Sequence, residues 1–238
     1  MTDLLIFNDA DDLLCALSNN SEKSLVFWDA DFAENLNQAS FLDFNCRPKH
    51  GDSRHIEVGN QVAFKDKDGF FRLFRIESTE KEINRQGEYI KARCEDAVLE
   101  LATNILTDIR PQNVTMRFAL ERALSGQARW EVGEVADLGV ASTNYFYISS
   151  IEAVERCLKA WGAELRVRIE TDGRRITRRL VDAVSRGRDT GLQMEVGHNV
   201  DGLSLTVETG HVRTLMYGRG AGIPMYDDSG TATGGYSR

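Results

Sequence analysis

Apolar residues in the first hundred positions recur every second residue or in short unbroken runs, the pattern of strands. Leu4–Phe7 is a short apolar strand closed by the turn-rich cluster Asn8, Asp9, Ala10, Asp11 and Asp12. Leu42, Phe44 and Cys46 alternate with Asp43 and Asn45, which predicts a half-buried strand ending before Pro48. Val62 and Phe64 repeat the theme. Lys67, Asp68 and Gly69 then turn the chain into residues 70–76, where both faces are apolar. After Gly87, the side chains Glu88, Ile90, Ala92 and Cys94 face one way and Tyr89, Lys91 and Arg93 the other. Short strands at this spacing suggest a small barrel or sandwich.

From Glu95 the period changes. Val98, Leu101, Ala102 and Ile105 fall at helical spacing and predict a helix that must end before Pro111. Met116, Ala119, Leu120, Ala123 and Leu124 predict a second, closed at Ser125 and Gly126, where glycine supplies a left-handed cap. Ser149 with Glu152 three residues on is a capping box, and it opens a third helix with the stripe Ile151, Val154, Leu158 and Trp161, stopped by Gly162. Leu165, Val167 and Ile169 then alternate with charged neighbours. Asp172-Gly173 predicts a tight hairpin, a type I′ turn, into a partner strand running from Ile176 to Val181. Further strands are expected through Leu203, Leu205 and Val207 and from Val212 to Tyr217. Residues 218–238, rich in Gly, Ser and Thr, read as a loop or tail. The pattern is therefore α+β: strand-rich to about residue 95, a helical insert to about 162, then strands, with no internal repeat.

Composition narrows the class. Of 238 residues, 42% are hydrophobic and 28% charged, a globular balance with enough apolar side chains for real cores. No apolar run approaches a transmembrane span, and the first residues lack the basic region and cleavage site of a secretory signal. A soluble product made in a cytoplasm is expected. Cys15, Cys46, Cys94 and Cys157 are far apart, with no CxxC pair, and read as reduced core residues rather than zinc or redox ligands. The net charge of −8 argues against a surface that wraps nucleic acid.

Several segments together resemble a family. They are ENLNQASFLDFNC (34–46), GNQVAFKDKDGFFRLFRI (59–76), ARCEDAVLELATNIL (92–106), RWEVG (129–133), WGAELRVRIETDGRRI (161–176), RGRDTG (186–191) and YGRGAG (217–222). In this order they resemble phage minor tail proteins, the tail-associated or prophage tail endopeptidase group. The resemblance implies the fold of the baseplate hub protein of contractile-tailed phages: β-rich, barrel-like tube domains with a helix-containing insert. On that pattern residues 1–95 are the first tube domain, 96–181 the insert with its hairpin, and 182–238 the start of a second tube domain plus a tail. The second tube domain would be incomplete and the chain a fragment or short variant. The implied role is structural and without catalysis. Three copies would form a pseudo-sixfold ring at the tip of the virion tail, around the DNA exit channel and against neighbouring tail proteins. DNA would pass without specific binding, no part of this region would enter a membrane, and synthesis would be in the bacterial host cytoplasm. The alternatives are a cell-wall endopeptidase and a receptor- or carbohydrate-binding tail module.

No site residue is assigned: catalytic, cofactor-binding and metal-binding positions are all expected to be none. Asp29, Asp31 and Glu34 are spaced for a hard cation but lack the glycine and terminal glutamate of a calcium loop, so a solvated acidic loop is expected. His50 and His55 flank a loop rather than lying on one helical face, and His198 and His211 are isolated; surface histidine is the better reading. Ser185 and Ser204 sit in no GxSxG elbow, and Cys157 lies beside a buried helical stripe. Gly218 to Gly222 looks like a phosphate loop, yet Ile223-Pro224 follows where a helix should start. Arg166, Arg168, Arg174, Arg175, Arg178 and Arg179 form the densest charge cluster, without an aromatic stacking platform. They are expected on a solvated sheet face or against an acidic neighbour across a subunit contact. Trp130 and Trp161 are expected in the core rather than as sugar platforms.

Overall fold

The computed structural model describes residues 3–34, 36–84 and 87–185, isolated positions between 191 and 206, and the strands Ile223–Tyr226 and Ala232–Ser237. Two compact units divide the chain at residues 187 and 188. The fold of the first is α+β, as expected from the pattern.

Seven antiparallel strands build its first half: β1 (Leu4–Phe7), β2 (Leu13–Leu17), β3 (Phe27–Ala33), β4 (Phe41–Cys46), β5 (Gln61–Lys65), β6 (Phe71–Asn84) and β7 (Gly87–Asp96). They pair in the order β2-β1-β5-β6-β7-β4-β3. The two ends of this row meet at the isolated bridge Leu17↔Leu25, supported by the Ser18 amide on the Leu25 carbonyl at 3.2 Å. Inward-facing Leu4, Ile6, Leu42, Phe44, Phe74, Ile76, Ala92 and Cys94 form one core. The period-two expectation for β4 and β7 holds: Leu42, Phe44 and Cys46 are buried, as are Ile90, Ala92 and Cys94.

Residues 70–76 are apolar on both faces because β6 is covered on both. Phe74 and Ile76 enter the first core, while Leu73 joins Phe7 and Ala63 in a second core on the outer side. That second core belongs mainly to the following segment. It comprises a 3-10 helix (Ala97–Thr103), β8 (Ile105–Ile109), β9 (Val114–Thr115), α1 (Met116–Ala123), β10 (Trp130–Val135), β11 (Val140–Ala141), β12 (Tyr145–Ser149), α2 (Ser150–Trp161), β13 (Glu164–Thr171) and β14 (Ile176–Val184). β13 and β14 pair antiparallel, β10 adds parallel to β14, and β13 touches β6 through the single pair Ile169↔Phe71.

Both α-helices behave as their patterns predict. Met116, Ala119, Leu120, Ala123 and Leu124 are buried, and Gly126 has φ +86°. Ser149 Oγ accepts from the Glu152 amide at 3.3 Å, and Gly162 is left-handed at φ +69°. The Glu152 carboxylate, however, pairs with Arg156 at 2.8 Å. The buried Tyr145 hydroxyl donates to the Ala119 carbonyl at 3.0 Å and ties α1 to β12.

Four expectations are corrected. The first predicted helix is only the 3-10 turn, N-capped by the Asp96 carboxylate accepting from the Val98 amide; Ala102 is exposed and Ile105 starts a strand with 56% of its surface exposed. The β13–β14 connection is not a type I′ turn. Thr171 pairs with Ile176 across a four-residue loop in which only Gly173 has positive φ (+87°), and Asp172 Oδ1 accepts from the Arg174 and Arg175 amides, each at 2.8 Å. β14 also runs on to Val184 rather than stopping at Val181. In the second unit, the stretch read as a tail contains a hairpin of β15 (Ile223–Tyr226) and β16 (Ala232–Ser237). Leu203, Leu205 and Val207 of one expected strand, the strand expected at 212–217, His211 and the glycine-rich 218–222 lie outside the described residues.

Candidate functional site

The arginine cluster does not form a solvated face. Three of its six members are built into the interior by carboxylates, in two centres.

The first centre joins the β1–β2 turn, β5, the 3-10 helix, β10 and β14. Arg179, with 2% of its side chain exposed, sends Nη1 to Glu100 at 2.9 Å and Nη2 to Gln61 Oε1 at 2.7 Å and to Asp11. Its Nε is buried without an acceptor, and the Trp130 ring lies 5.8 Å from the guanidinium carbon. Trp130 Nε1 donates to the same Glu100. Arg129 reaches Glu100 Oε2 at 3.1 Å, Asp11 Oδ1 at 3.0 Å and the Asp9 carbonyl at 2.9 Å. The Gln61 amide completes the set by donating to the Asn8 carbonyl and to Asp11. Burial pushes the Asp11 carboxyl up, but hydrogen bonds from Gln61 and Arg179 and the charges of Arg179 and Arg129 outweigh it and hold the pKa below the ordinary value. The loop after β13 docks on the same turn: the Ile176 amide donates to Asp11 O at 2.9 Å and the Leu13 amide to Arg174 O at 2.7 Å.

The second centre is Asp182, wholly buried on β14. Its Oδ2 accepts from Arg166 Nε at 2.8 Å and Arg168 Nε at 2.7 Å, and its Oδ1 from the Glu134 amide at 2.7 Å. The carboxylate occupies the space a side chain at position 133 would need: a Cβ on Gly133 would lie 2.0 Å from Oδ1. Burial lowers the Arg166 pKa, but hydrogen bonds to Asp182 and Glu134 more than reverse this and leave it above the ordinary value. The Phe70 ring stacks 4.5 Å from the Arg166 guanidinium carbon. Arg178 pairs outside with Glu131 at 2.9 Å and Glu170 at 3.4 Å. Arg174 and Arg175 remain, with no side-chain ion pair recorded among the described residues.

These contacts account for RWEVG residue by residue. Arg129 and Trp130 grip Glu100, Glu131 holds Arg178, Val132 packs against the second core, and Gly133 admits Asp182. Sequence reasoning missed Asp11, Glu100 and Asp182, which neutralise the arginines, and the neutral Gln61, which accepts from Arg179.

The other candidates are placed as follows. Asp29 accepts from the Asn45 amide at 3.2 Å and Glu34 pairs with Arg72 at 3.0 Å, while Asp31 is exposed. Among the described residues no three His, Cys, Asp or Glu side chains are placed to share a metal ion. His50 caps the 3-10 helix Gly51–His55, its Nδ1 taking the Asp52 amide and its Nε2 meeting the Lys23 carbonyl, both at 3.1 Å. His55 accepts from Arg54 Nε, and the backbone amide of exposed His198 bonds Glu195 O. Ser185 and Ser204 are exposed. Burial pushes the Cys157 thiol up to about 12, far from a reactive thiolate. Trp130 and Trp161 are 4% and 8% exposed, in the second core. All four cysteines are free. Among the described residues no helix is long and apolar enough to cross a membrane.

Residues 103–177 match the family model of the prophage endopeptidase tail domain. Among solved structures, prophage tail protein gp18 from Listeria monocytogenes EGD-e aligns with 97% of this chain and 65% of its own, at TM-score 0.52 and 13% identity. The fold is therefore that of a prophage tail protein. A tail protein from Neisseria meningitidis MC58 aligns with 76% of this chain and 50% of its own, at TM-score 0.46 and 13% identity. The E. coli c3393 protein, a type VI secretion component with structural similarity to the T4 bacteriophage tail proteins gp27 and gp5, aligns with 68% and 48% at TM-score 0.40 and 13% identity. The chain spans less than two thirds of each of these proteins. No curated protein matches it.

Proposed function

We propose that this chain is a structural, non-catalytic component of a phage tail tip, a hub-like protein that works by assembling with copies of itself and with neighbouring tail proteins. The observation that carries the reading is the match of residues 103–177 to a prophage tail domain; beside it, Arg166 and Arg168 of that segment and Arg179 just after it are spent on ion pairs that hold the fold together. A carboxylate or guanidinium locked between opposite charges in the interior has no freedom to shuttle protons, whereas it fixes rigidly how an insert sits on a sheet. In this reading residues 1–95 are a barrel-like tube domain, 96–181 the insert and 182–238 the start of a second tube domain. Three copies form a ring at the distal end of the virion tail, around the channel through which DNA leaves, and the chain is made in the host cytoplasm. Open strand edges supply the contacts, because unpaired backbone groups invite pairing with another chain.

Native mass spectrometry of the protein, with labelling of intact tails by an antibody against it, tests the proposal. A trimer, or a monomer found in three copies at the tail tip, is the expected result. A stable dimer, or label along the whole tail, would overturn it. Peptidoglycan hydrolysis is expected to stay at background; turnover abolished by a single serine or histidine substitution would sink the non-catalytic reading.

A further inference from the structure

On the outer face of the sheet, where β3, β4 and β7 run side by side, register alone gathers a set of side chains of mixed chemistry. Phe27, Cys46 and Ile90 point into the first core, so Trp28, Asn45, Arg47 and Tyr89, offset by odd steps, share the opposite face. They line a cleft of about 360 Å³ together with Asp29, Gly87 and Glu88. Trp28 and Tyr89 meet edge to face, with ring centroids 6.1 Å apart and planes at 60°. Arg47 sits 5.6 Å from the Trp28 ring centroid, and Asp29 is linked to Asn45. The β3–β4 register slips between Trp28 and Asp31, and Asp29 takes the left-handed conformation at φ +49°. Such bulges re-aim side chains out of the regular pleat.

The geometry points to a binding site for a neutral saccharide in this cleft. Its size falls in the range of small-ligand pockets. A peptide adding to a sheet edge would meet backbone groups, but here the ligand lies across three strands and meets side chains. Aromatic rings offer an apolar surface to the C–H face of a pyranose. Carboxylates are pure acceptors for its hydroxyl pairs, and the amide and guanidinium are donors. The charge balance disfavours acidic ligands: Asp29 and Glu88 outnumber Arg47, and Tyr89 is already held by Glu82.

Titration calorimetry of the full chain with maltotriose, N-acetylated chitotriose and the acidic sialyllactose tests this. At least one neutral trisaccharide should bind saturably with a Kd of about 1 mM or tighter, and more tightly than sialyllactose. Trp28→Ala should weaken it at least about tenfold, an effect of roughly 1.4 kcal/mol. Asp29→Asn keeps a residue that tolerates positive φ and should weaken binding severalfold while circular dichroism stays unchanged, so it decides the matter if Trp28→Ala unfolds. Absence of saturable binding by both neutral probes, preference for the acidic one, or affinity unchanged in a folded variant would overturn the proposal.

Discussion

At the scale of single residues, two positions show how tightly the interior constrains identity. Gly133 is a glycine because the Asp182 carboxylate stands where its side chain would be, wedged between β10 and β14. Alanine there must displace either the strand or a buried anion held by two arginines. Gly133→Ala should therefore destabilise the protein by about 3 kcal/mol or more, since a disrupted buried charge network costs roughly 3–5 kcal/mol; urea denaturation measures it, and a change below about 0.5 kcal/mol would show that Asp182 is not fixed there. Asp96 makes the opposite case. Burial pushes its carboxyl up to about 6, although the Val98 amide and the charge of Arg72 both favour the anion. Because the folded pKa lies above the unfolded value of 3.8, the native state takes up a proton between these limits that the unfolded chain does not. Stability from this group rises as pH falls through about 6 and is lost as pH rises through it. Asp96→Asn preserves an acceptor for the Val98 amide without the charge. It should be at least as stable as the parent at pH 7.5 and lack this component between about pH 7 and 4, which denaturant midpoints at several pH values will show.

At the scale of elements, the sequence was legible wherever one face meets one core. Alternation in β4 and β7 and the apolar stripes of α1 and α2 predict their burial because neighbours a few residues away decide it. The first predicted helix failed for a local reason. Val98 and Leu101 are three apart, a spacing that a 3-10 turn satisfies as well as an α-helix. Asn104 then leaves helical conformation, its amide bonded to Ser125 O at 2.9 Å and Ser150 Oγ at 2.7 Å, and frees Ile105 to pair with β12. The arginine centre around Arg179 was illegible for a different reason. Arg179 and Asp11 are 168 positions apart, and no spacing rule connects them. The β13–β14 loop lies between these cases: the hairpin was readable, but Asp172 caps two following amides and changes the turn type. Gly173 nevertheless keeps φ +87° with no atom within 4 Å of a built Cβ, so conformation and not space opposes substitution. Gly173→Val should lower stability by on the order of 1 kcal/mol, and Gly173→Asn by less, because asparagine tolerates the left-handed region. Equal melting temperatures for the two variants would contradict this account.

At the scale of the whole molecule, the question is how a chain with six arginines between residues 166 and 179 behaves beside DNA. Counterion release gives affinity only for cations that are free to meet phosphates. Arg166, Arg168 and Arg179 are turned inward onto Asp182, Glu100 and Asp11, and Arg178 is held by Glu131 and Glu170. That leaves Arg174 and Arg175, on the exposed loop between β13 and β14, against an overall charge of −8. Two phosphate contacts give a shallow salt dependence: the slope of log affinity against log salt should be about −2, and binding should vanish by physiological ionic strength. The choice of variants matters. Replacing Arg179 would leave Glu100 and Asp11 without their buried partner and unfold the junction, so loss of binding there would say nothing about DNA. Arg174→Ala with Arg175→Ala touches no side-chain ion pair and should abolish the residual mobility shift of duplex DNA at low salt while leaving the melting temperature in place. Salt-resistant binding that survives this double replacement would mean that a different surface grips DNA, and the proposal of a conduit that DNA passes without sticking would have to be abandoned.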